Sequence, residues 1–122
     1  MIALLVKYLI DEDTEHLIRE GLWRRQPSID IKVIGEQGAP TLSTKDADIL
    51  DFLEVEGYVL VSSNRRTMPR HLKDHLNKGG TVPGIFLLRK GTSYRRILEN
   101  LELVWYVGEL DEYRDKITYI PL

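Results

Sequence analysis

The chain has no cysteine. Disulfide staples and thiolate zinc centres are excluded, a reducing compartment is compatible, and stability must come from an ordinary apolar core. It has no excess of basic charge: 17 Lys and Arg stand against 19 Asp and Glu, a formal net charge of −2. A uniformly cationic surface is excluded, so any contact with RNA must come from a local patch. The longest N-terminal apolar run, Ala3–Ile10, is too short to cross a bilayer. It has neither a basic leader nor a small-residue cleavage site, so we expect a cytoplasmic protein with no membrane partner. The sequence has no internal repeat and no low-complexity segment. It also has no Gly-x-Ser-x-Gly elbow, dinucleotide fingerprint or P-loop lysine.

The 122 residues, 43% apolar and 30% charged, suit one globular domain spanning 1–122. Apolar runs alternate with helical patterns. Strands are expected at Ala3–Ile10, Asp30–Ile34, Tyr58–Ser62, Gly84–Leu88 and Ile117–Ile120. The first helix, Thr14–Arg25, is expected to bury Leu17, Ile18, Leu22 and Trp23, and Pro27 stops it. The second runs over Lys45–Glu56 with Ile49, Leu50 and Leu53 inward, a Ser43/Asp46 capping box, and Gly57 as its stop. A third begins near Thr67 with Pro69 in its first turn and ends at Gly79-Gly80. A fourth begins near Ser93 and is expected to pass Trp105 and reach Tyr113. Strict alternation of this kind predicts right-handed βαβ units, a mostly parallel sheet and a three-layer α/β/α sandwich.

The most informative local feature is the strand that ends in acid, Leu9-Ile10-Asp11-Glu12-Asp13. In an open α/β sheet, ligands bind at the carboxyl ends of the strands. That edge should gather Asp11 and Asp13 after the first strand, Asp46 at the start of the second helix, and Ser62, Ser63 and Asn64 after the third strand. Clustered carboxylates repel each other unless a cation is present. Oxygen ligands of this kind suit magnesium or manganese, and such an ion activates water against a phosphodiester. We take Asp11, Asp46 and Asn64 as candidate catalytic residues and Asp11, Asp13 and Asp46 as candidate metal ligands. The plainer alternatives stand beside these: Asp13 as a helix cap, Asp46 as a capping-box partner, and Glu12 in solvent.

A second cluster, Arg65, Arg66, Arg70 and Lys73, lies at the same edge. It would hold the phosphates of RNA, or it would neutralise the acids near Asp11. His71 and His75 are spaced to share a helix face, but no zinc-protease glutamate accompanies them, and a wet surface is the better reading. His16 reads as surface. Trp23, Trp105, Tyr106 and Tyr113 belong to the core or to an interface, and aromatic residues at a polar helix edge hint at a homodimer.

Leu9–Asp13, Gly38-Ala39, Asp46–Leu50, Glu56–Ser62 and the closing Ile117–Leu122, in that order, resemble the small PIN-like family of nucleases predicted for toxin–antitoxin systems. The resemblance implies a PIN-like fold, a magnesium or manganese ion held by acids, single-strand ribonuclease activity and an antitoxin partner. Asp11 and Asp46 match two acids of the family pattern, and Asp13 stands where the family often has an acid or amide. Where the family has an acid, one residue and a second acid after the third strand, this chain has Asn64 and Arg66. That departure motivates the alternative of a degenerate module that binds RNA or a protein without cleaving.

Overall fold

A computed structural model describes residues 5–14 and 16–122. The elements are β1 (Tyr8–Ile10), α1 (His16–Arg25), β2 (Ile31–Val33), α2 (Asp46–Glu56), β3 (Val59–Ser62), α3 (Met68–Asn77), β4 (Ile85–Leu88), α4 (Tyr94–Val107) and β5 (Ile117–Ile120). All five strands are parallel in the order β2-β1-β3-β4-β5. Four helices cover the two faces of this sheet, giving the three-layer α/β/α sandwich. No helix among the described residues is long and apolar enough to cross a membrane.

The two-residue period of the strands divides the core. Tyr8, Ile10, Val59, Val61, Phe86 and Leu88 face α1 and α4 and meet Ile18, Leu22, Ile97, Leu101 and Val104. Leu9, Leu60, Ile85 and Leu87 face α2 and α3 and meet Ile49, Leu50, Leu53, Met68 and Leu72. Burial on both faces explains why the inner strands read as unbroken apolar runs.

Several boundaries differ from the sequence expectation. β1 is confined to Tyr8–Ile10, with Leu5 exposed and Ala3 and Leu4 outside the described residues. Leu17 and Trp23, expected to be buried, are 59% and 58% exposed. The reason is Gly21: a Cβ there would lie 2.6 Å from Leu98 Cδ1, so α4 approaches α1 along the Ile18–Gly21–Leu22 stripe and Leu17 turns outward. The Ser43/Asp46 capping box does not form. Lys45 occupies the N-cap without a side-chain hydrogen bond, and Ser43 adopts a left-handed φ of 65°. Gly57 does stop α2, with φ 78° and its N–H donating to Leu53 O. α4 ends at Val107, and a separate 3-10 turn, Leu110–Glu112, precedes β5.

One topological feature escapes the pattern. The β1-to-β2 and β4-to-β5 connections run in opposite directions across the sheet, yet α1 and α4 pack on the same face. These crossovers therefore have opposite hands. The connections through α2 and α3 share the hand of the first, so the expected uniform hand fails at α4. Its stripe Ile97–Leu101–Val104 closes over Phe86 beside α1, which fixes it on that face.

Candidate functional site at the strand ends

β2 lies on one side of β1 and β3 on the other. The chain reverses its direction of travel between them, and that switch point is where a crevice opens at the strand ends. Asp11 leaves β1 at this point and Ser62 closes β3. Ser62 Oγ, fully buried, donates to Asp11 Oδ2 at 2.7 Å, and the Glu12 N–H donates to Asp11 Oδ1 at 2.8 Å. Asp11 itself is only 6% exposed. Backbone bonds hold it from behind, its N–H on Val61 O of the neighbouring strand at 2.9 Å and its carbonyl accepting from the Thr14 N–H across the turn at 3.0 Å.

Burial raises the Asp11 carboxyl above the usual carboxylate range. The Ser62 and Glu12 hydrogen bonds pull it back, while the negative charges of Asp46 and Asp13 push it further up. Asp46 and Asp13 thus add to the negative field at Asp11. Asp46 also has its own partner, His71, whose Nε2 stands 3.0 Å from Asp46 Oδ2. Asp13 is exposed. The start of α1, which it was expected to cap, adjoins Glu15, outside the described residues.

Other candidates are placed differently from expectation. The Asn64 side chain is occupied by its own turn: Oδ1 accepts from the Thr67 N–H at 3.3 Å and Nδ2 donates to Thr67 Oγ1 at 2.8 Å. It prepares the entry to α3 rather than offering a metal ligand. Arg65 does not neutralise the acids; its Nη1 donates to Leu88 O at 2.7 Å, on the neighbouring strand. Arg66, Arg70 and Lys73 are exposed beside the crevice, with no ion pair among the described residues. Glu12 is not free in solvent; its Oε1 accepts from the Ser43 N–H at 2.8 Å and ties the loop before α2 to the β1 end.

His71 and His75 do not share a ligand. His71 serves Asp46, whereas His75 is buried with Nε2 at 2.9 Å from Glu54 Oε1 and 3.2 Å from Thr81 O. The wet-surface reading therefore fails for His75, which joins α3 to α2 and the following loop. His16's side chain lies outside the described residues. Of the aromatic residues left between core and interface, Trp105 is half-buried against the α1/α4 core and Tyr113 is buried within it, while Tyr106 is 74% exposed. Two structural partners were missed as such in the sequence, Thr14 and His71. Thr14 is buried and its Oγ1 accepts from the Ser63 N–H at 3.1 Å. Nothing in local spacing marks either one, because each bonds across elements.

The donor set at the crevice is hard oxygen: a buried Asp11 carboxylate, Asp46 with one oxygen held by His71, and exposed Asp13. That chemistry fits magnesium or manganese, which bind through one or two carboxylates and retain water. Asn64 does not fit as a ligand. Among the described residues, no three of His, Asp and Glu converge closely enough to hold an ion by themselves.

Comparison with protein-family models, with curated proteins and with solved structures finds no match to this chain.

Proposed function

We propose that this protein is a PIN-like, divalent-cation-dependent ribonuclease centred on Asp11, a toxin-type component whose crevice an antitoxin partner would cover. One observation carries the reading. A carboxylate at the switch point is buried, pressed by two other carboxylates, and bonded to hydrogen-bond donors rather than to a cation among the described residues. Such an arrangement is costly alone and is relieved by a positive ion. Magnesium or manganese, when bound, supplies an acidified water and neutralises the charge that builds on the phosphodiester. Asp11 and Asp46 would hold it, with Asp13 assisting. Ser62 and Glu12 fix the Asp11 carboxylate, while His71 holds one oxygen of Asp46 and competes with the ion for it. Arg66 from the adjoining turn, with Arg70 and Lys73 from α3, would attract the RNA backbone. The pure protein should cleave single-stranded RNA with magnesium or manganese, and Asp11→Ala should reduce cleavage to background. Absence of cleavage under every divalent ion tried refutes the enzyme.

A second reading rests on a separate observation: the Asn64 amide is engaged with Thr67, and Asp46 with His71. In that case the crevice is a binding module without cleavage. RNA binding then persists without metal, weakens with salt, and falls in Arg66→Ala and Arg70→Ala.

A further inference from the structure

On the α1/α4 side of the same sheet edge lies a second concavity, separate from the acid cluster. Its volume is about 320 Å³, and Ser63, Arg65, Arg89, Lys90, Thr92 and Tyr94 line it over a floor from α1 and α4. Three of these are cations and three carry hydroxyls, and none of the lining residues is acidic. The arginines are held by backbone carbonyls rather than by carboxylates. Arg65 Nη1 donates to Leu88 O at 2.7 Å, and Arg89 Nε donates to Pro121 O at 2.8 Å. A carbonyl orients a guanidinium without cancelling its charge, and each guanidinium keeps further N–H donors. Like charges gathered in a cleft focus a field that draws anions.

An independent observation points the same way. The Tyr94 Oη is buried and has no hydrogen-bond partner among the described residues. Buried hydroxyls are nearly always partnered, so one that is not calls for an acceptor. Tyr94 also lines the cavity, so once a small turn of its ring uncovers the hydroxyl, an oxygen-rich anion seated there would satisfy it and the cations together.

We infer that this cavity is a pocket for a phosphate monoester, with Arg65, Arg89 and Lys90 as counter-charges and Tyr94 as a hydroxyl donor. The dianion of a monoester suits a site with several cations and bidentate arginine geometry. Two sources present the same chemistry: a free mononucleotide, and the 5′-phosphorylated end of an RNA strand. Neighbouring residues link the two sites, since Ser62 bonds Asp11 and Ser63 lines the pocket. Phosphate binding here does not depend on cleavage at Asp11.

Calorimetric titration of the full chain with AMP, with inorganic phosphate, and with one short RNA bearing either a 5′-phosphate or a 5′-hydroxyl provides the test. AMP should bind saturably and inorganic phosphate should compete with it. Binding should weaken about tenfold or more in Lys90→Ala and in Tyr94→Phe, as expected for loss of a charge-assisted bond. Both variants should melt close to the native protein, because Lys90 is exposed and Tyr94→Phe removes only an unpartnered hydroxyl. Preference for the phosphorylated RNA over its hydroxyl form assigns the strand end; AMP binding without that preference assigns a free ester. Absence of saturable binding by every phosphate probe overturns the pocket. So does AMP binding that both variants leave unchanged. Cleavage is not read in this assay, so Asp11→Asn should leave AMP binding intact even where it abolishes nuclease activity.

Discussion

Ser62→Ala tests the centre of the crevice through stability alone. The Ser62 hydroxyl is fully buried and works in both directions. It donates to Asp11 Oδ2 at 2.7 Å and accepts from the Asn64 N–H at 3.0 Å. Alanine removes both bonds and scarcely changes the packing. A hydrogen bond to a charged group contributes about 1.5–3 kcal/mol, and a buried donor left without a partner costs about 1–3 kcal/mol. Asn64 is partly exposed, so the lower end applies to its N–H, and the expected loss is about 2–4 kcal/mol at neutral pH. The loss also has a pH signature. Burial raises the folded-state pKa of Asp11, so its contribution favours folding in acid and declines as pH rises through the folded value. The Ser62 bond opposes that rise. Without it the folded value climbs further, and stability declines more steeply toward neutral pH. The difference between wild type and variant is therefore largest at neutral pH and shrinks on acidification. Urea unfolding at two pH values, with equal slopes for both proteins, measures it. A loss below about 1 kcal/mol at neutral pH, or a loss that grows in acid, refutes this account of the Asp11 environment.

Three further outcomes are expected. His71→Ala removes a partly exposed partner of Asp46, so the metal-free protein should lose no more than about 1 kcal/mol. Magnesium or manganese should then raise the melting temperature more than in wild type, because Asp46 is released to the ion; an unchanged metal response counts against Asp46 as a ligand. Glu54 has its pKa lowered first by the Thr81 N–H and then by His75. Its contribution is present above the unfolded glutamate pKa and is lost as pH falls through the depressed folded value. Glu54→Gln should therefore flatten the acid limb of a plot of melting temperature against pH, and a parallel curve would contradict the bond network. Phe86→Ala opens the centre of the α1/α4 core, where the ring meets Tyr8 and Tyr113 at centroid distances of 6.0 and 5.1 Å. Chemical denaturation should show a loss of about 3–5 kcal/mol, and tolerance of the change would mean the two-face core is wrongly drawn.

The candidate site was only partly legible before folding. Asp11 stood out because an apolar run ending in acid marks a strand end, and Asp46 because it opens a helix. Their engagement with Ser62 and His71 was not legible, since those bonds join residues from different elements across the sheet edge. Asn64 and Arg65 carried the right chemistry for a metal ligand and an acid partner, yet the turn into α3 claimed one and the Leu88 carbonyl the other. The pocket of Arg65, Arg89, Lys90 and Tyr94 was invisible, because β3 and β4 must pair before its walls meet.

Local repetition of apolar and polar residues was enough to set the succession of strands and helices, the stop at Gly57, and a sheet buried on both faces. Those features depend on periods of two and of 3.6 residues, which any short window contains. The order β2-β1-β3-β4-β5, the reversed hand of the last crossover and the outward turn of Leu17 came only with the tertiary structure. Each depends on which distant surfaces bury one another, as when Gly21 admits Leu98. That competition among long-range contacts leaves no mark in neighbouring residues.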